Sequence, residues 1–242
     1  RKEEFKTDRD INTLAEAVKD ADVFLGLSKG NVLSQDMVRS MASNPIVFAL
    51  ANPNPEITYE DAMASRPDII FGTGRSDYPN QINNVIGFPY IFRGALDTHS
   101  KAINEEMKLA AVRALAELAK KPVPEIVSKA YGGKAMAFGK EYLIPTALDP
   151  RLLETVAPAV AKAAIESGVA RHEIKDWDAY RDQLRHRMGL NNKLIDGLRV
   201  RAKKAPKKVV FSEPNNVSVL SAAVAAKADG ICVPVLVGNE TN

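Results

Sequence analysis

The sequence predicts an α/β fold: a parallel sheet with helices between its strands, then a helical connector, then the first βαβ unit of a second α/β domain. Two observations carry this. Short apolar runs, Asp22-Val-Phe-Leu-Gly-Leu-Ser28, Ile46-Val-Phe-Ala-Leu50 and Asp68-Ile-Ile-Phe-Gly72, recur with room for one short helix between each pair. That spacing makes parallel crossovers rather than hairpins. The pattern then restarts after a polar stretch, as strand 208–211, helix 217–228 and strand 231–237.

Each element has a local reason. Thr13-Leu-Ala-Glu16 has capping-box spacing and opens a short helix carrying Leu14, Ala17 and Val18 on one face. The run at 22–28 reads as a buried strand. Ser34 caps a helix with Met37, Val38 and Met41 on one side, and another short helix falls at 59–65. Residues 105–120 form an amphipathic helix with Met107, Ala111, Ala114, Leu115 and Leu118 as its stripe. Its acids stand at the start, its lysines at the end, and Pro122 follows. Residues 122–150, broken by Pro and Gly, read as an irregular wrapping segment, and helices are expected at 150–167 and around 177–187. The run Arg199-Val-Arg-Ala-Lys-Lys-Ala-Pro-Lys-Lys208 reads as a solvated basic linker. The predicted domains are 1–150, a connector 151–206, and 207–242. One βαβ unit cannot bury both faces of a sheet, so the last domain is expected to be truncated.

Bulk composition narrows the function. Of 242 residues, 45% are hydrophobic and 26% charged, the profile of a globular protein with a substantial core. The 33 basic and 30 acidic residues leave a net charge of +3, too balanced for a protein whose main partner is nucleic acid. A single cysteine, Cys232, allows no intrachain disulfide and points to a reducing, cytoplasmic setting. Its apolar neighbours mark it as a small buried hydrophobe rather than a nucleophile. No apolar run approaches the roughly 18 residues of a membrane helix, and residues 1–10 lack the apolar core of a secretion signal.

The candidate site lies in loops after the strands. Asn52 follows one strand; Asn80, Asn83 and Asn84 follow the next. An Asn side chain offers both a donor and an acceptor without charge, so it can orient a carboxylate, a hydroxyl or an amide. Asn is also a common turn residue, and spacing alone leaves both readings open. Gly26-Leu-Ser-Lys-Gly30 could bring a phosphate or ribose hydroxyl to Ser28 and the amides after it, or could be only a tight turn. Gly72-Thr-Gly-Arg75 is similar, but no G-x-G-x-x-G fingerprint occurs. Arg75, Asp77 and Arg93 are expected to form bracing ion pairs. His99, His172 and His186 are isolated, so no metal ligands and no catalytic triad are assigned.

Beyond these local readings, Asp22-Val-Phe-Leu-Gly-Leu-Ser28, Phe48-Ala-Leu-Ala-Asn-Pro53, Gly74-Arg-Ser-Asp-Tyr78, Asn83-Asn84, Phe92-Arg-Gly-Ala-Leu-Asp97 and Ile103-Asn-Glu-Glu-Met-Lys108 closely resemble the bacterial NADP-dependent malic enzymes. Residues 10–190 share the likeness. From residue 207 the chain resembles the opening of the phosphotransacetylase-like domain of the family's long form. Ser212-Glu-Pro-Asn-Asn216 departs from the acidic, Gly-containing turn usual there, and Gly87 stands where small or thiol side chains are common. The resemblance implies the second half of a Rossmann-like NAD(P)-binding domain in an internal fragment of an enzyme. That enzyme would convert malate to pyruvate and CO2 while reducing NADP or NAD, with Mg2+ or Mn2+. It further implies that Asn52 contacts the nicotinamide end or malate and that Asn83 contacts malate; Ser28 stands as a cofactor contact on its strand-end position alone. The family's catalytic Tyr and Lys, its acidic metal ligands and its phosphate-binding glycine turn lie upstream of the matched part. On this reading the fragment alone is inactive and the parent is a homo-oligomer. The rival expectation is a stand-alone dinucleotide-binding or interaction module without catalysis.

Overall fold

The computed structural model describes residues 2–133, 135–188, 193–213 and 215–238. Position 134 in the expected wrapping segment, 189–192 in the polar stretch, Pro214 in the 212–216 turn and the final 239–242 lie outside them. The chain divides into two compact units, residues 1–83 and 84–242. Both mix helices with parallel strands.

The first unit opens with a 3-10 turn at Lys2–Phe5 and continues through α1 (Leu14–Val18), β1 (Val23–Gly26), α2 (Gln35–Arg39), β2 (Ile46–Ala49), α3 (Tyr59–Ser65) and β3 (Ile70–Thr73). The strands form one parallel sheet in the order β1-β2-β3, with Gly26 opposite Ala49 and Ala49 opposite Thr73. Both expected caps are present: Thr13 and Glu16 close a reciprocal capping box, and Ser34 accepts from the amide of Met37. Thr58, which the sequence reading did not single out, caps α3 in the same way. Val18, Leu33, Val38, Met41, Val47, Ala49, Ile57, Ala62, Ile69 and Phe71 make a single apolar cluster. A clamp holds the loops at the amino ends of the strands. Arg66 pairs with Asp68 at 2.7 Å and donates to the carbonyl of Met41, while Asp68 accepts from the amide of Asn44.

The expectation of a buried first strand needs correction. Phe24 and Gly26 point toward the core, but Val23 and Leu25 are more than half exposed, as is Leu27 just beyond. The cause is positional: β1 pairs only with β2 and is an edge strand of the described sheet. Apolar residues on both faces are the signature of a parallel strand that is covered on both sides.

The second unit contains a 3-10 turn at Asn84–Ile86, α4 (Phe88–Asp97), α5 (Glu105–Lys120), α6 (Glu125–Ala130), α7 (Arg151–Glu166), α8 (Trp177–Arg187), α9 (Lys193–Lys204), β4 (Lys207–Phe211), α10 (Val217–Ala228) and β5 (Cys232–Leu236). The α4, α5 and α7 helices pack around Met107, Ala111, Leu118, Leu152, Val156, Val160 and Ala164. Gly94 permits the α4–α7 approach, since a Cβ there would lie 2.6 Å from the carbonyl oxygen of Ala157. Tyr180 and Leu184 seat α8 on Ala157 and Ala161 of α7, and the Tyr180 hydroxyl donates to Asp97 at 2.7 Å. The β4 and β5 strands pair in parallel, with α10 as their crossover.

One segment left unassigned by the sequence reading is a helix, and two others differ from it. Residues 88–97 form α4; Pro89 stands in its first turn, where a missing N–H costs nothing. The 122–150 segment contains α6. Most of the supposed basic linker is the end of α9, where Arg201, Lys203 and Lys204 complement the negative pole of the helix. Cys232 is buried, in keeping with its reading as a small hydrophobe. Among the described residues no helix is long and apolar enough to cross a membrane.

Candidate functional site

The carboxyl ends of β1, β2 and β3 lie side by side, and in open parallel sheets this is the edge where ligands bind. Three loops leave it: residues 27–33, 50–58 and 74–83. Ser28 and Asn52 are exposed on the first two, and Asn83 is exposed at the end of the third. The predicted site residues of the first unit therefore share one edge of one sheet.

The first two loops are zipped together. The amide of Leu50 donates to the carbonyl of Gly26, that of Asn31 to Pro55, and that of Leu33 to Glu56. At the centre of this double layer lies Glu56, whose side chain is fully buried. One carboxylate oxygen accepts from the amide of Ser28 at 3.2 Å and the other from the amide of Ala51 at 3.1 Å. This accounts for the glycines. A Cβ on Gly26 would fall 2.3 Å from the Glu56 carboxyl carbon, and one on Gly30 would fall 2.6 Å from the carbonyl oxygen of Asn54. Both glycines serve packing between loops, and the Ser28 amide is already committed inside the protein. The Ser28 residue itself is exposed. Asn52 precedes a cis peptide bond to Pro53.

The third loop returns to its own strand. The amide of Thr73 donates to the carbonyl of Asn80, and the amide of Ile82 donates to that of Thr73. Ile82 lies over Gly72, where a Cβ would meet its Cδ1 at 2.8 Å and the Phe48 ring at 3.0 Å. Asn83 is thus delivered to the strand ends by a segment laid along β3. Asn80 has a different job. It is buried, has a positive φ of 55° and donates its side-chain amide to the carbonyl of Phe71 at 2.8 Å. It holds the turn, the structural alternative for an Asn in such a loop.

Charged and aromatic groups brace the same loop. Arg75 pairs with Asp77 at 2.6 Å and sits 5.4 Å from the centre of the Tyr78 ring. Tyr78 stacks on Tyr59 at 4.7 Å and donates its hydroxyl to Glu60 at 2.5 Å. That hydrogen bond holds the Glu60 carboxyl below its ordinary value and raises the Tyr78 phenol above its own. In the second unit, Arg93 pairs with Asp97 of the same helix. The Arg75–Asp77 pair braces its loop as the sequence suggested, whereas Arg93 pairs with Asp97 inside α4 rather than with the loop residues.

Sequence reasoning missed Glu56. It stands in Asn-Pro-Asn-Pro-Glu56 like an ordinary surface acid, and its burial depends on contacts 28 residues away. The signal available was Gly26, a glycine at a strand end that leaves room for another group.

Comparison with known proteins bears on this edge. A family profile described as "Malic enzyme, NAD binding domain" matches residues 1–128. A probable NADP-dependent malic enzyme of Rickettsia prowazekii is 50% identical over 240 residues, covering 98% of this chain and 31% of that protein. An NADP-dependent malic enzyme of Escherichia coli is 52% identical over 226 residues, covering 93% of this chain and 30% of that one. The crystal structure of the Entamoeba histolytica malic enzyme superposes with a TM-score of 0.63 at 35% identity, over 78% of this chain and 36% of that one. This chain spans about a third of the length of the curated relatives it matches.

Proposed function

Because the chain belongs to the malic enzyme family, we propose that it is part of an NADP-dependent malic enzyme that converts malate to pyruvate and CO2. The observation that carries this reading is the convergence of Ser28, Asn52 and Asn83 on the carboxyl edge of one parallel sheet, all exposed on braced loops. Asn52 takes the nicotinamide end of the cofactor or malate. The Ser28 hydroxyl takes a phosphate or ribose oxygen, and Asn83 takes malate. Neutral amides suit these roles because they orient carboxylates without competing for a divalent cation.

The cofactor is NADP or NAD. When bound, it would supply the hydride acceptor for the alcohol carbon of malate; with the hydroxyl proton passing to a base, that oxidation would give a β-keto acid able to lose CO2. The family's Mg2+ or Mn2+ would polarise the keto oxygen. Among the described residues, however, no group of three His, Cys, Asp or Glu could hold a metal ion. The residues present do not fit that role, and in this reading the metal ligands, with the acid and base, belong to the remainder of the enzyme.

The same reading assigns 1–150 to the NAD(P)-binding domain, 151–206 to a helical connector and 207–242 to the start of a phosphotransacetylase-like domain in a cytoplasmic homo-oligomer. Support for the last domain comes from the parallel β4–α10–β5 unit, on which Val210, Val233 and Val237 are at least half exposed.

The test is an assay of the longer polypeptide beside the 242-residue chain. The longer protein is expected to form NADPH and pyruvate from malate with Mg2+ or Mn2+, while the 242-residue chain shows no malate-dependent reduction. Turnover by the purified 242-residue chain contradicts this assignment. Cofactor binding without turnover by both would favour a stand-alone module.

A further inference from the structure

We propose that Glu56 is a positioning residue, one whose buried carboxylate fixes the spacing of the two loops that present Ser28 and Asn52 to the cofactor. This rests on the reading of that edge as a cofactor site. The geometry is specific. One carboxylate oxygen takes the amide of Ser28 and the other takes the amide of Ala51, the residue immediately before Asn52. The group therefore grips both turns at the residue that matters or at its neighbour. Gly26 keeps space for it, and no other residue type there would leave the carboxylate in place. A buried carboxylate is costly unless it is hydrogen-bonded. Both bonds go to backbone amides, so the acid's position and the backbone path of each loop are tied together. Releasing one loop changes the separation of two ligand-binding side chains without removing either.

Two variants test this. Glu56→Gln keeps size and shape but turns an NH2 group toward one of the two amides. Glu56→Asp keeps the charge but is one methylene too short to reach both. In the folded 242-residue chain, amide hydrogen exchange at Ser28 or Ala51 is expected to accelerate in both variants, while the rest of the sheet stays protected. In the longer enzyme, KM for NADP is expected to rise about tenfold, the scale of one lost hydrogen bond to a charged group, with kcat changed by less than roughly threefold. A residue needed only for folding would instead lower apparent kcat by reducing the folded fraction and leave KM unchanged. Unchanged exchange at both amides, or an unchanged KM for NADP, overturns the proposal. An Asn52→Ala control separates the two possible failures. If Asn52→Ala raises KM and the Glu56 variants do not, Glu56 has no positioning role and the site reading stands. If none of the three moves KM for NADP or malate, the site reading falls, and the positioning role falls with it.

Discussion

Replacing Asn83 by Ala in the longer enzyme is expected to lower kcat/KM for malate by roughly ten- to hundredfold, with much less effect on cofactor affinity. A lost hydrogen bond to a charged ligand group costs on the order of 1.5–3 kcal/mol, and that energy appears directly as lost transition-state binding. The prediction depends on the way Asn83 is delivered. It follows Ile82, whose amide is bound to Thr73 and whose side chain lies over Gly72, so the loop stays in place when the amide is truncated. Steady-state kinetics with malate and NADP varied separately, beside a thermal melt, check it. A variant that loses melting temperature while keeping its efficiency for malate would make Asn83 a turn residue, as Asn80 is.

Substituting Gly26 by Ala is expected to destabilise the first unit by roughly 2–5 kcal/mol. Overpacking a filled interior costs about 1–3 kcal/mol, and displacing a buried acceptor from its donors adds about as much again. A Cβ at Gly26 would lie between 2.3 and 2.6 Å from all three atoms of the fully buried Glu56 carboxyl group. Because the collision is with one named group, the effect should be non-additive. The double variant Gly26→Ala with Glu56→Ala should be less destabilised than the sum of the two single changes. Urea unfolding of the four proteins measures this, and strict additivity would mean that the clash is absorbed elsewhere.

Much of the architecture was legible because its causes are local. Thr13 and Ser34 cap their helices through their own neighbours, and the α5 stripe with its end charges and Pro122 fixes both ends of that helix. The parallel sheet followed from spacing, since three short strands separated by single helices have few other ways to pair. What escaped was non-local. Two apolar faces along β1 suggest burial, but the described sheet covers only one, because coverage depends on what packs there and not on the strand's own residues. The α4 helix went unassigned, because Pro89 favours a helix only where it falls in the first turn. The basic run looked like a linker because its charges were read along the chain. Arg201, Lys203 and Lys204 stand instead at the carboxyl end of α9, where the helix itself favours them, and Lys207 and Lys208 begin β4.

At the candidate site, the residue types were visible before their division of labour. Asn52, Asn80 and Asn83 look alike in sequence; only the structure shows that Asn80 is buried on the carbonyl of Phe71 while the other two are exposed. Glu56 could not be picked out from the other acids, because its partners come from both strand-end loops and its space is made by Gly26.

The most direct measurement of the central claim is hydrogen–deuterium exchange on the longer enzyme, alone, with NADP, and with NADP and malate together. NADP is expected to slow exchange in residues 26–30 and 50–56, and malate to add protection at 80–83, with little change in α1 to α3 on the covered face of the sheet. Protection confined to regions outside the carboxyl edge of β1, β2 and β3, with these three loops exchanging as in the free protein, would contradict the assignment of this edge as the cofactor and substrate site.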